Sequence, residues 1–238
     1  MKITAICLAA GQGKRMESEV QKQYLLLESK PVLYYSLKRF QESIVDEVVL
    51  VVPSGEVEYC KKNIVERYGF SKVTRILEGG KERYHSVMHG LSAVKNTDLV
   101  MIHDGARPFI SKDIISRCIE GGKTHGACIA GMPVKDTIKV VDESNVIEST
   151  PQRDRLWQVQ TPQCFRYDLI YSAYEKLRKK EETEGSSKFL ITDDAMVVEF
   201  FMSHKVKIVE GSYENIKITT PEDMAIAEAF LRNKRDID

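Results

Sequence analysis

Residues 3–16 read ITAICLAAGQGKRM, and this stretch decides the fold. A short apolar run over 3–8 has the length and bounding of a buried strand. It breaks into small residues, Ala9, Ala10, Gly11 and Gly13, and then into the cations Lys14 and Arg15, with Lys22 following in QKQY. Small residues let backbone amides approach a ligand closely, and successive amides in a turn form an anion-binding concavity. Cations beside such a turn suit a polyphosphate, so the stretch reads as a strand opening into a nucleotide triphosphate loop. The alternative is a plain glycine turn with solvated cations. Neither standard phosphate motif applies. The G-x-G-x-x-G pattern begun by Gly11 and Gly13 fails at Met16. The P-loop fails at Leu8, where its first glycine belongs, and at Arg15, which replaces the magnesium-holding hydroxyl.

Working outward, strand-like and helix-like segments alternate. Helical spacing covers 31–40, 56–68 and 82–94, and a helix capped by Ser111 runs through Cys118. Apolar runs at 48–52, 72–77, 99–103 and 127–132 read as buried strands. This alternation predicts an α/β fold: a mostly parallel sheet with helices on both faces. Ligands in such sheets sit beyond the carboxyl ends of the strands. Residues 9–22, 79–83 and 104–107 all fall there, and three strand ends point to one crevice. After Val134 the rhythm changes. Segments 137–141 and 146–149, joined by the polar turn DESN, read as a hairpin that cannot fit a parallel core and so projects as an arm. Helices over 168–180, 193–202 and 221–231, a strand at 206–209 and a polar, mobile loop at 181–188 complete the expectation. Trp157 reads as a packing anchor, and Lys217, between Ile216 and Ile218, as a solvent-facing strand residue.

Composition narrows the function classes. The 238 residues carry 35 basic and 35 acidic side chains and no net charge, which argues against bulk attraction to nucleic acid or membrane. No run approaches the roughly 20 apolar residues of a membrane span, and no signal-peptide pattern opens the chain. Five scattered cysteines form no C-x-x-C pair, so neither a disulfide framework nor a zinc site is indicated, and a reducing cytoplasm fits. Asp104, at a strand end in HDGARPF, suits a single magnesium-holding carboxylate beside phosphates. His85 and His89 stand at i, i+4 but lack the glutamate and third ligand of a zinc site. Asp193 and Asp194 read as helix N-terminal carboxylates.

Taken together, LAAGQGKRM, QKQY, GGKERYHSV, HDGARPF, PVKDTIK, LWQVQTPQ, TDDA and NIKITTPED resemble, in order, the 2-C-methyl-D-erythritol 4-phosphate cytidylyltransferase family. The resemblance spans nearly the whole chain. The related ribitol-5-phosphate cytidylyltransferases look like they carry Gly-Gly at Ala9-Ala10 and Ser-Val at Gly105-Ala106. What the resemblance implies is one Rossmann-like domain over 1–238, a homodimer joined through an arm at about 134–155, and magnesium-dependent transfer from CTP to the sugar-alcohol phosphate. By similarity, Ala9, Ala10, Gly11, Gly13, Gly80, Ser86 and Gly105 would bind the nucleotide. Arg15, Lys22 and Lys217 would act in catalysis, and Asp104 would hold the metal. Arg107, Thr137, Arg153, Thr161 and Thr192 would bind the acceptor. Lys81 stands where many members carry Asp, and Gly105 where many carry Ala.

Overall fold

The computed structural model describes residues 1–11, 21–185 and 190–235. Gly13, Lys14 and Arg15 therefore lie outside the described residues, as does 186–189 of the expected mobile loop. In chain order, β1 (Ile3–Leu8), the two-residue ladder strands β2 (Leu26–Leu27) and β3 (Lys30–Pro31), α1 (Val32–Gln41) and β4 (Glu47–Val52) come first. Then follow α2 (Val57–Cys60), continued by wider turns over Lys61–Glu66, β5 (Val73–Glu78), α3 (Arg83–Ala93), β6 (Leu99–Asp104), α4 (Lys112–His125) and β7 (Ala127–Pro133). The second half adds β8 (Val140–Val141), β9 (Ile147–Ser149), β10 (Trp157–Arg166), α5 (Tyr167–Glu184), α6 (Asp194–Met202), β11 (Lys207–Glu210) and α7 (Pro221–Arg235).

Seven strands form one sheet in the order β11-β7-β10-β6-β1-β4-β5. All neighbours are parallel except β10, which runs antiparallel to both β6 and β7. Alternation along each strand splits the core into two layers. Ala5, Cys7, Val48, Leu50 and Met101 pack with Leu33, Leu37, Phe40 and Ile115 from α1 and α4. Ile6, Val49, Val51, Val100 and Ile102 pack on the other face with Val87, Ile170, Tyr174 and Val197 from α3, α5 and α6. β-Branched and leucine side chains buried on both faces explain why these central strands read as continuous apolar runs.

The order of strands positions the crevice. From β1 the chain steps outward to β4 and β5, then returns to place β6 on the other side of β1. The order in which strands are added reverses between the parallel neighbours β1 and β6, where ligands of open parallel sheets bind. There Leu8 pairs with Asp104 in register, and Gly105 N–H donates to the Leu8 carbonyl at 2.8 Å.

Three expectations are corrected. β10 is a ten-residue strand in the middle of the sheet, although nothing in 153–165 reads as one. Its Gln158, Gln160, Thr161 and Gln163 interrupt the apolar pattern, yet Gln160, Thr161 and Gln163 find partners and the strand is buried over most of its length. Trp157 is 38% exposed at the start of that strand, with its indole beside Gly131, so it packs at the surface and not as an anchor of the buried core. Residues 181–184 are the last turn of α5, and Glu181 is held by Tyr84 Oη at 2.8 Å and His85 Nε2 at 2.9 Å. The hairpin β8–β9 does project, with Val140, Val141, Val146 and Ile147 each more than 40% exposed.

Candidate active site

Beyond the ends of β1, β5 and β6 lies a crevice of about 640 Å³. Leu8 to Gly11, Lys22, Gln23, Gly80 to Arg83, Ser86, Asp104, Ala106, Lys217 and Thr219 line it. The first wall is the end of β1, carried outward by Ala9 N–H donating to the Val51 carbonyl at 2.7 Å. Lys22 belongs to a short helical turn, Lys22–Tyr24, anchored by buried Gln23 and Tyr24. An added Cβ on Gly11 would stand 3.9 Å from Lys22 Cε, so the lysine stem runs along the loop from β1.

The second wall is the turn after β5. Gly79 N–H donates to the Val52 carbonyl at 2.7 Å, and an added Cβ there would stand only 2.3 Å from Ala10 Cβ. Only glycine lets these two loops meet. Ser86 Oγ accepts Gly80 N–H at 3.1 Å and donates to the Glu82 carbonyl at 3.4 Å. His85 accepts Glu82 N–H on Nδ1 at 3.1 Å and closes the capping box of α3. Ser86 therefore builds the turn that Gly80 presents, and His85 supports it as an ordinary helix residue.

The floor is ionic. Asp104 Oδ1 meets Arg83 Nε at 3.2 Å, and Oδ2 meets Lys217 Nζ at 2.8 Å. Burial pushes the Asp104 carboxyl up, but Arg83, Lys217 and Arg107 outweigh it and hold it well below the usual carboxylate range. Lys217 is not the solvent-facing strand residue its spacing predicts, because 215–219 is irregular backbone. Ile218 N–H donates to the Ala106 carbonyl at 2.9 Å and Asn215 Nδ2 to the Thr161 carbonyl at 2.9 Å, which delivers Lys217 to Asp104. Asp194 is likewise no ordinary helix-end carboxylate. It is fully buried, and Arg83 grips both its oxygens at 2.9 and 2.8 Å.

Behind the floor, Thr161 is 5% exposed, and its Oγ accepts Asp104 N–H at 3.0 Å and meets His103 Nδ1 at 3.0 Å. Burial lowers the His103 pKa to about 4, so its ring is neutral at physiological pH. The Arg107 carbonyl can only accept, so His103 donates through Nε2 at 3.3 Å, and Nδ1 takes the Thr161 proton. The hydroxyl expected to meet the acceptor is thus used inside the protein.

Among the described residues, the remaining predicted ones do not line this crevice within one chain. Gly105 is buried at its rim, where an added Cβ would stand 2.9 Å from Leu33 Cδ1. Arg107 Nη1 donates to the Asn215 carbonyl at 2.7 Å. Thr192 is exposed just before α6, and Thr137 is exposed at the arm. Arg153 lines a second hollow of about 510 Å³ at the arm's base, with Pro133, Val134, Gln152 and Asp154. Arg83 and Asp194 form the pair at this site that the sequence conceals, because they lie 111 positions apart.

Comparison with known proteins gives concordant matches. The family model described as IspD, 2-C-methyl-D-erythritol 4-phosphate cytidylyltransferase, matches residues 3–233. The enzyme of that name from Lachnoclostridium phytofermentans is 48% identical over 235 residues, covering 99% of this chain and 98% of the relative. That from Alkaliphilus oremlandii is 51% identical, covering 99% and 97%. Among solved structures, 4-diphosphocytidyl-2C-methyl-D-erythritol synthase from Anaerococcus prevotii superposes with a TM-score of 0.83 at 36% identity, covering 97% and 96%.

Proposed function

The chain belongs to the 2-C-methyl-D-erythritol 4-phosphate cytidylyltransferase family, and on that premise we propose how its crevice works. It is a nucleotidyltransferase that joins CTP and 2-C-methyl-D-erythritol 4-phosphate into 4-diphosphocytidyl-2-C-methyl-D-erythritol and pyrophosphate. An acceptor phosphate oxygen attacks the α-phosphorus of CTP, and the bond from that phosphorus to pyrophosphate breaks.

The nucleophile is already anionic near neutral pH, so no general base is required. The obstacle is electrostatic, a dianion approaching a polyanion, and catalysis consists of positioning and charge neutralisation. In this reading cytosine lies against Ala9, Ala10 and the turn at Gly80, with Gly105 and Ser86 shaping its seat. Lys22 neutralises the triphosphate, joined by Arg15, while Gly11 and Gly13 offer backbone amides. The observation that carries the assignment is the meeting of Lys22, Arg83, Asp104 and Lys217 around one crevice at the reversal point of the sheet. Lys217 stands beside Asp104 at 2.8 Å, where it can stabilise charge on the α-phosphate.

A divalent cation fits Asp104. Magnesium uses one or two protein carboxylates and takes its remaining ligands from phosphates and water. Each Asp104 oxygen has one cation beside it and keeps a second lone pair. When bound, the ion supplies further neutralisation of the triphosphate.

The acceptor site extends from Thr192 and Arg107 to Thr137 and Arg153. Because Thr137 and Arg153 stand at the arm, we place them against the crevice of a second copy, with the arm at about 134–155 joining a homodimer. The apolar, exposed side chains of that arm support this reading. The whole chain then acts as one nucleotidyltransferase domain, in the reducing cytoplasm that five free, buried cysteines suit. Among the described residues, no helix is long and apolar enough to cross a membrane.

The test is α-labelled CTP with magnesium and a panel of acceptors: methylerythritol phosphate, ribitol 5-phosphate and a sugar 1-phosphate. Label should pass only to methylerythritol phosphate, with stoichiometric pyrophosphate, and a chelator should stop it. Equal transfer to ribitol 5-phosphate would overturn the acceptor assignment.

A further inference from the structure

Cation count suggests that Arg83, which lines the crevice, serves the phosphates. Its bonding says otherwise. The guanidinium sends Nε to Asp104 Oδ1 at 3.2 Å, Nη1 to Asp194 Oδ1 at 2.9 Å and Nη2 to Asp194 Oδ2 at 2.8 Å. Both faces of its donor fork are filled by carboxylates, a bidentate geometry that arginine forms and lysine cannot. With two carboxylates on one guanidinium, the cluster carries no surplus positive charge to offer a triphosphate.

Asp194 sits beyond the reach of substrate, fully buried, and Tyr174 Oη donates to its Oδ1 at 2.5 Å. The backbone around it is equally fixed. Gln163 Oε1 accepts from Asp194 N at 3.1 Å and Ala195 N at 3.0 Å, and Gln163 Nε2 donates to Asp193 Oδ2 at 3.0 Å. Thr192 immediately precedes this locked turn. Arg83 therefore bridges two ends of the site: Asp104 on the nucleotide side, and the N-terminus of α6 on the acceptor side.

We propose that Arg83 is a positioning residue of the transfer reaction: seated on Asp194 and Tyr174, it fixes Asp104, and through it Lys217, relative to the α6 turn that carries Thr192. The inference rests on the cytidylyltransferase reading of the crevice. Its energetic logic is that of residues supporting a metal ligand or catalytic group, whose loss costs about 10–100-fold in activity.

The test compares Arg83→Lys, Asp194→Asn, Tyr174→Phe and the double variant R83K/D194N in steady-state transfer, with CTP binding measured separately by calorimetry with and without magnesium. Arg83→Lys keeps the charge and loses the fork. It should lower kcat by about 10–100-fold, while the CTP dissociation constant moves by less than about threefold. Asp194→Asn should give a similar loss, and the double variant should be no worse than about the poorer single one, because the two residues act as a unit. Tyr174→Phe keeps the ion pair and should give a smaller loss of the same kind. Should Asp194→Asn fail to fold, Arg83→Lys and Tyr174→Phe carry the comparison. A lysine variant that keeps kcat, one that loses CTP affinity about tenfold or more, or additive effects in the double variant would overturn the proposal. If wild-type protein fails to release pyrophosphate from CTP and acceptor, the functional reading itself has failed, and the two failures are distinguishable.

Discussion

Thr161→Val removes one hydroxyl and keeps the shape of the side chain. In the native protein that hydroxyl accepts Asp104 N–H at 3.0 Å and donates to neutral His103 at 3.0 Å. Valine leaves a buried donor and a buried acceptor without partners. Each orphaned group costs about 1–3 kcal/mol, so the expected loss is about 2–6 kcal/mol. For a chain of this size a change of 1 kcal/mol shifts the midpoint by about 2–4 °C, which gives a fall of roughly 4–24 °C. Thermal and urea unfolding measure it, and Thr161→Ser, which restores the hydroxyl, should recover most of the loss. Michaelis constants for both substrates, taken well below the midpoint, complete the assay. If the midpoint holds while the acceptor constant alone rises, the hydroxyl faces substrate and the bonding scheme around His103 is wrong.

Lys22→Ala should lower turnover by about two to three powers of ten, the usual cost of one preorganised charge, with the unfolding midpoint unchanged; near-normal turnover removes it from catalysis. Arg153→Ala should raise the acceptor constant and leave that for CTP in place. A collapse of CTP affinity with the acceptor constant unchanged would refute the assignment. Val141→Asp combined with Ile147→Asp should convert a dimer to monomers in light scattering. A wild-type protein that scatters as a monomer at micromolar concentration would refute the arm's role.

The parts of this molecule that were legible in the sequence are those where local pattern and tertiary role coincide. Strands β1, β4 and β6 are buried on both faces, so their side chains are mostly apolar and announce themselves. Small residues after β1 and Gly79-Gly80 after β5 reveal a close approach of backbones, which the contact of the Gly79 position with Ala10 bears out. What stayed hidden depends on partners distant in sequence. Gln163 in β10 looks like a surface residue until it is seen capping the turn of α6. Lys217 looks solvent-exposed because its neighbours alternate as in a strand, whereas the segment is irregular and tied to Ala106. Asp194 looks like a dipole-complementing carboxylate, and only the fold supplies the arginine that justifies burying it.

The tether of 215–219 has a consequence for biosynthesis. Arg107 and Asn215 are 108 positions apart, so the bond that helps bring Lys217 to Asp104 closes one of the longest loops in the chain. During translation at about 5–20 residues per second, the contiguous strands β6, β1, β4 and β5 can assemble with Asp104 at the end of β6 some seconds before Lys217 leaves the ribosome. An emerging chain thus holds the residues after β1 and Asp104 before it holds Lys217. On the role proposed for Lys217, competence for transfer arrives only late in synthesis, when docking of this one segment closes the ionic floor.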